Sequence, residues 1–133
     1  MTDAKKKVAV FDVDGTIFRS SLFIELTEEL IDLGIFSDSI RDIYAKEKHA
    51  WLDRKGDYEA YINAMVKAFM GHIKGVSYKE FEAAGRSAVE RNADRVYRFT
   101  RDLVRDLRAK GYYLLAISQS PKLSASRMML IRR

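Results

Sequence analysis

The sequence has no cysteine, a single proline and no long apolar run near its start. Without cysteine there can be no disulfide and no thiolate metal site, so stability has to come from packing, as in a reducing compartment. The apolar run after Lys7 covers only Val8–Phe11 before Asp12 interrupts it, which is too short for a signal peptide or a membrane span. We therefore expect a cytoplasmic protein with no membrane partner.

Acidic residues are in the minority, because 24 Lys and Arg oppose 19 Asp and Glu, giving a formal net charge of +5. Much of the excess lies at the two ends, in Lys5–Lys7 and in Lys122, Arg127, Arg132 and Arg133. No basic stripe alternates with aromatic residues, so nucleic acid is not an expected partner.

The chain has 133 residues, of which 47% are apolar and 32% charged, and this predicts one globular domain with at most an added subdomain. The sequence leaves the oligomeric state open.

Two apolar runs that do not alternate with polar residues, Val8–Phe11 and Tyr112–Ser118, predict strands of a parallel sheet covered on both faces. Between them the apolar residues follow helical spacing. Five helices are predicted, beginning after Ser20 and Ser21, near Ser37, near Asp57, at a capping box formed by Ser77 and Glu80, and near Arg95. The first is expected to end at Gly34 and the last at Gly111.

The length of chain between the two predicted strands indicates an insertion. A right-handed crossover between parallel strands needs about a dozen residues, whereas roughly a hundred separate these two. We therefore predict an α/β protein in which residues 20–95 form an inserted helical segment and residues 1–19 and 96–133 form the sheet-containing core.

Asp12 and Asp14 stand at the end of the first predicted strand. On an extended backbone every second side chain points the same way, so Asp12 and Asp14, with one residue between them, should face one side. Gly15 then permits a sharp turn. Two carboxylates so close repel each other unless a cation lies between them, and hard oxygen ligands suit Mg²⁺. The alternative is a pair of turn-forming residues that simply ends the strand.

Ser118 stands at the end of the second predicted strand. Because the carboxyl ends of parallel strands meet at one edge of a sheet, Ser118 is expected beside the two aspartates. Ser120 and Pro121 predict the capped start of another helix, and a helix N-terminus beside a hydroxyl is a favourable phosphate site. On its own, Ser118 is equally an ordinary loop hydroxyl.

The stretch "FDVDGT", followed by a helical insertion and then by "LLAISQSP" at the end of the next strand, resembles the haloacid dehalogenase-like (HAD) superfamily. The closest branch is the phosphoserine-phosphatase-like one, subfamily IB, which has a helical cap after the first motif. The resemblance implies a Rossmann-like parallel core carrying that cap.

The resemblance also implies a chemistry, a Mg²⁺-dependent phosphomonoester hydrolase acting on a small phosphorylated metabolite. Asp12 would be the nucleophile that forms an aspartyl-phosphate, and Asp14 the general acid and base. The Asp12 carboxylate and the Asp14 main-chain carbonyl would hold Mg²⁺, and Ser118 would bind a phosphoryl oxygen.

The sequence departs from the family pattern after the second motif. A later Lys and a late acidic pair are missing, since no acid follows Asp106 and Lys122 lies too close to Ser118 for the first role. We expect truncation or a frameshift near residue 122, and a two-stranded sheet with unpaired edges and one poorly covered face.

The alternative function is a catalytically incompetent fragment that binds Mg²⁺ or phosphate weakly. Ser21 stands where phosphoserine phosphatases have a Glu, which argues against phosphoserine as substrate.

Overall fold

The structure, a computed structural model, describes residues 5–120 and is a mixed α/β protein. The elements in chain order are β1 (Val8–Asp12), α1 (Leu22–Asp32), a 3-10 turn (Asp38–Ile40), α2 (Arg41–Leu52), α3 (Tyr58–His72), α4 (Tyr78–Asn92), α5 (Arg98–Ala109) and β2 (Tyr113–Ile117). The two strands pair in parallel, with Val8 opposite Tyr113 and Asp12 opposite Ile117. The α/β class and the parallel pairing are thus confirmed. Within residues 5–120 no helix is long and apolar enough to cross a membrane.

Local chemistry explains where several helices begin. The Asp57 carboxylate accepts a hydrogen bond from the Ala60 N–H at 2.6 Å and so caps α3. Ser77 and Glu80 form the predicted capping box before α4: the Glu80 N–H donates to Ser77 Oγ at 3.2 Å, and the Ser77 N–H donates to Glu80 Oε2 at 3.0 Å. These bonds satisfy N–H groups that have no partner inside the helix.

The described residues divide into two compact units, one of residues 5–22 and 89–120 and the other of Phe23–Ala88. We call them the strand unit and the helical unit. The boundaries expected from the sequence, 19/20 and 95/96, stay a prediction. The tail after Ser120, on which the frameshift was inferred, lies outside the described residues.

The helical unit has an extensive apolar core. Its fully or nearly fully buried members come from α1, the loop after it, the 3-10 turn and α2 to α4, and they are Leu26, Leu30, Ile31, Phe36, Ile40, Tyr44, Tyr61, Met65, Ala68 and Ala84. The Phe69 ring meets the rings of Phe23 and Phe36 edge to face, with centroids 5.1 and 5.9 Å away. The helical spacing of the aromatic residues therefore reflects internal packing for Tyr61 and Phe69. Trp51 and Tyr58 instead contact each other at a tilted angle, with centroids 5.3 Å apart, and are 41% and 42% exposed.

The strand unit has a small core of Val13, Phe18, Leu22 and Val89. Its sheet leaves large apolar side chains in solvent, since Val10 is 55% and Ile117 63% exposed. The expectation that both strand faces are covered is therefore wrong, while the expectation of a poorly covered face is confirmed. The reason is the number of layers: two strands, with α5 against β2, cannot enclose both faces of a sheet.

Candidate functional site

The candidate site begins where β1 ends. Asp12 is the last residue of β1 and pairs with Ile117, so the chain that follows each strand starts at the same edge. Beyond it, Gly15 adopts a φ of +76°, a left-handed conformation that suits glycine. The N–H groups of Ile17 and Phe18 donate to the Val13 carbonyl at 3.0 and 2.9 Å, which closes a tight turn around Asp14.

Asp14 lies at the centre of this edge, and its carboxylate accepts three hydrogen bonds. Ser118 Oγ donates to Oδ2 at 2.6 Å, Ser120 Oγ donates to Oδ1 at 2.9 Å, and the N–H of Leu22, the first residue of α1, donates to Oδ1 at 2.7 Å. The structure therefore brings together Asp14 and Ser118, which are 104 residues apart in the sequence. The side chains of Asp14 and Ser118 are both half-buried.

Asp12 has a different environment from Asp14. Its side chain is exposed, and its Oδ2 accepts a hydrogen bond from Thr16 Oγ1 at 3.2 Å. No hydrogen bond among residues 5–120 joins Asp12 to Asp14 or Ser118. Asp12 thus presents an accessible carboxylate, as an attacking group needs, while Asp14 is held in one orientation.

The oxygen atoms at this edge fit a hard divalent cation such as Mg²⁺. The Asp12 carboxylate is exposed, and no backbone N–H in the described chain donates to the main-chain carbonyl of Asp14. Mg²⁺ commonly takes one or two such protein oxygens and completes its shell with water and phosphate. The described residues contain no group of three His, Asp or Glu side chains arranged to hold a metal. The Asp14 carboxylate is engaged by its three donors, so the carbonyl is the atom that fits.

Thr16 and Ser120 also belong to the site, although the sequence pattern did not indicate a site role for either residue. Thr16 contacts Asp12, and Ser120, which is 9% exposed, contacts Asp14. The Ser120 N–H also donates to Ser118 Oγ at 3.0 Å. Ser120 was expected to cap a helix, and the residues that would form that helix lie outside the described range. The signal in the sequence that could have indicated this role is the spacing, because Ser120 follows Ser118 by two residues.

A second polar cluster lies in the helical unit and joins α1 to α2. Tyr44 Oη donates to Glu28 Oε1 at 2.7 Å, Arg41 Nε donates to Glu28 Oε2 at 2.9 Å, and Lys48 Nζ lies 3.3 Å from Oε1. Burial raises the pKa of Glu28, but the hydrogen bonds from Tyr44 and Arg41 and the charge of Lys48 outweigh it and lower the pKa overall. Burial and the adjacent Glu28 raise the pKa of the Tyr44 hydroxyl. Because its charges are mutually satisfied, this cluster is structural.

Comparison with models of known protein families, with curated proteins and with solved structures finds no match for this chain. The resemblance to the HAD-like superfamily therefore stays a prediction. It depends on the stretch from Asp12 to Thr16, on Ser118, and on the strand ends at which they lie.

Proposed function

We propose that the chain is a HAD-like phosphatase that hydrolyses a small phosphomonoester through an aspartyl-phosphate on Asp12. The observation that carries the proposal is the 2.6 Å hydrogen bond from Ser118 to Asp14, because it joins the two motifs at adjacent strand ends. Ligands of parallel α/β sheets bind at such ends. On this proposal the strand unit is part of a Rossmann-like core and the helical unit is its inserted cap.

In the first step the Asp12 carboxylate attacks phosphorus, and the bond from phosphorus to the ester oxygen breaks. Protonated Asp14 gives its proton to the departing oxygen, so the alcohol leaves neutral. Asp14 can carry that proton within its present contacts, because the hydroxyls of Ser118 and Ser120 can accept as well as donate. The Leu22 N–H keeps the carboxyl group oriented in both protonation states.

In the second step water attacks phosphorus of the aspartyl-phosphate and the bond to the Asp12 oxygen breaks. The Asp14 carboxylate takes the proton of the attacking water, and the products are phosphate and a free Asp12 carboxylate. Ser118 Oγ turns its hydrogen from Asp14 to a phosphoryl oxygen, while the Ser120 N–H continues to hold that hydroxyl in place. Ser118 thereby orients the phosphate for both displacements.

Mg²⁺, held by the Asp12 carboxylate and the Asp14 carbonyl, would supply charge compensation for the phosphate group. The contact between Thr16 and Asp12 would keep that carboxylate at the strand end. Because the Asp12 carboxylate is exposed, a phosphate dianion can approach it from solvent.

The decisive experiment replaces Asp12 by Asn, which keeps the shape and removes the nucleophile. With p-nitrophenyl phosphate and Mg²⁺ we expect turnover to fall by about a thousandfold or more. Asp102→Asn, which changes an exposed acid on α5, is the matched control and should retain turnover. Mass spectrometry of acid-quenched wild-type protein should place the phosphoryl group on the peptide containing Asp12. Retained turnover in Asp12→Asn contradicts the proposal.

The second candidate function is weak binding of Mg²⁺ or phosphate without turnover. It is favoured by the absence of a third acidic or histidine ligand beside Asp12 and Asp14 in residues 5–120. On this alternative, calorimetry detects Mg²⁺ binding that Asp12→Asn abolishes, while no phosphoenzyme forms. Rapid Mg²⁺-dependent hydrolysis of p-nitrophenyl phosphate by the 133-residue chain excludes it.

A further inference from the structure

Arg19 is a cation close to the candidate site in the sequence. Its side chain is exposed, and no Asp or Glu of residues 5–120 forms an ion pair with it. Its guanidinium instead lies over the Tyr97 ring, 5.9 Å from the centroid. Such a cation–π contact limits the side chain's freedom without neutralising its charge.

The backbone around Arg19 is held in place by a short antiparallel bridge between Phe18 and Val96. The Arg19 N–H donates to the Arg95 carbonyl at 2.8 Å, and the Tyr97 N–H donates to the Ile17 carbonyl at 3.1 Å. Phe18 is fully buried in the core of the strand unit. Arg19 therefore projects from a firmly anchored segment, which is what a binding residue needs to keep a defined position.

Chain length places Arg19 near the aspartates. It lies midway between Thr16, which contacts Asp12, and Leu22, which contacts Asp14. Each is three residues away, so each Cα–Cα distance is at most about 11 Å even for a fully extended chain. The long side chain of Arg19 can therefore reach a small molecule whose phosphate lies at Asp12. Residues 15–21 contain no acid, so this segment offers a second substrate group positive charge only.

We infer that Arg19 is a specificity residue that binds a second anionic group, a carboxylate or another phosphate, on the phosphomonoester substrate. The inference rests on the proposed function, because it takes the phosphate position from Asp12 and Ser118. A guanidinium pairs with a carboxylate or phosphate through two parallel N–H bonds, and Arg19 is exposed to solvent, where such a group can approach it. Neutral or aminated phosphomonoesters lack the matching group.

The test compares two ligands with one carbon skeleton, 3-phosphoglycerate, which carries a carboxylate, and glycerol 3-phosphate, which carries a hydroxymethyl group there. Affinities are measured by calorimetry with Mg²⁺ on the full chain bearing Asp14→Asn. This change removes the general acid and base, so that no turnover occurs, but keeps the Asp12 carboxylate and the main-chain carbonyl of residue 14 that would hold Mg²⁺. We expect 3-phosphoglycerate to bind about tenfold more tightly, as a charge-assisted contact at a solvent-exposed site would give. Arg19→Gln should remove this preference and Arg19→Lys should restore part of it.

Arg95→Gln is the matched control, because Arg95 stands opposite Arg19 on the same bridge while its Nη1 already donates to Asn92 Oδ1 at 2.9 Å. It changes net charge by the same amount and should keep the tenfold preference. Equal loss in both variants would assign the preference to net charge and overturn the inference. So would equal binding of the two ligands in the parent. If neither ligand binds, the proposed function itself fails, and circular dichroism of each variant shows whether it is folded.

Discussion

The two units of this protein divide packing and chemistry between them. The helical unit buries a continuous core together with the Glu28 cluster. In the described part of the strand unit the apolar core has only four clustered side chains, and much of the sheet is exposed. The described residues of the strand unit nevertheless hold the aspartates, Ser118 and Arg19. Apolar burial and the candidate chemistry therefore lie in different parts of one small chain. Mutations should accordingly affect stability and the candidate activity separately.

The largest loss of stability is expected on truncating a core side chain of the helical unit. Leu30 is fully buried, and Leu30→Ala should lower the free energy of unfolding by about 2–5 kcal/mol through lost burial and a residual cavity. The matched substitution in the strand unit, Leu115→Ala, removes a side chain that is 42% exposed and should cost about 1 kcal/mol or less. Urea denaturation followed by circular dichroism measures both. Equal losses would show that the strand unit is as tightly packed as the helical unit.

The Glu28 cluster should contribute less than the core but still measurably. Glu28→Gln replaces the acceptor of three side-chain donors and should cost about 1–2 kcal/mol, because Glu28 is only 21% exposed. Asp102→Asn, at the exposed ion pair with Arg101, should change stability by about 0.5 kcal/mol or less. The same denaturation experiment applies, and an equal effect at the two positions would contradict the difference in burial.

The same cluster predicts an acid sensitivity of the helical unit. The folded pKa of Glu28 is lowered from its ordinary value of 4.5, so ionised Glu28 stabilises the fold above pH 4.5. That contribution is lost as the pH falls from 4.5 through the folded pKa. Stability measured against pH should therefore drop less steeply in this range for Glu28→Gln than for the parent chain. Parallel curves would show that Glu28 is not the titrating group.

At the candidate site the expected loss of stability is smaller than at Leu30 or Glu28. Ser118→Ala removes one of three donors to Asp14, and because Ser120 and Leu22 remain, the loss of stability should be about 1 kcal/mol. Ser118→Thr, which keeps the hydroxyl, is the control. On the proposed function Ser118→Ala should reduce turnover far more than stability. A large loss of stability with little change in turnover would make Ser118 a structural residue only.

Much of the local structure was predictable because it depends on near neighbours in the sequence. The five helices, the Ser77 and Glu80 capping box and the two strands follow from periodicity and end signals spaced a few residues apart. The placement of Asp14 and Ser118 at one edge needed one further rule, that parallel strands end together. The exposure of the sheet face was harder to predict from the sequence, because continuous apolar runs indicate burial only when the fold has enough layers to cover the sheet.

The roles of individual cations could not be read from the pattern. Arg41 forms ion pairs with Glu28 and Asp32, and also with Asp38, which its neighbours in the sequence do not reveal. Arg19 and Arg41 look alike in the sequence, each beside polar residues at the edge of a helix. Only the fold decides that Arg41 meets acids from α1, 9 and 13 residues away, while Arg19 meets an aromatic ring.

The sequence by itself determined which segments become helices and strands and that two acids and a serine stand at strand ends. These outcomes depend on side-chain periodicity, capping and backbone geometry, which act over a few residues. Only the tertiary structure shows that Asp14, not Asp12, is the carboxylate held by Ser118 and Ser120. It also shows that Arg41 contacts acids whereas Arg19 contacts an aromatic ring. Which of these hydrogen bonds and ion pairs form depends on contacts between residues far apart in the chain, and the sequence pattern does not show those contacts.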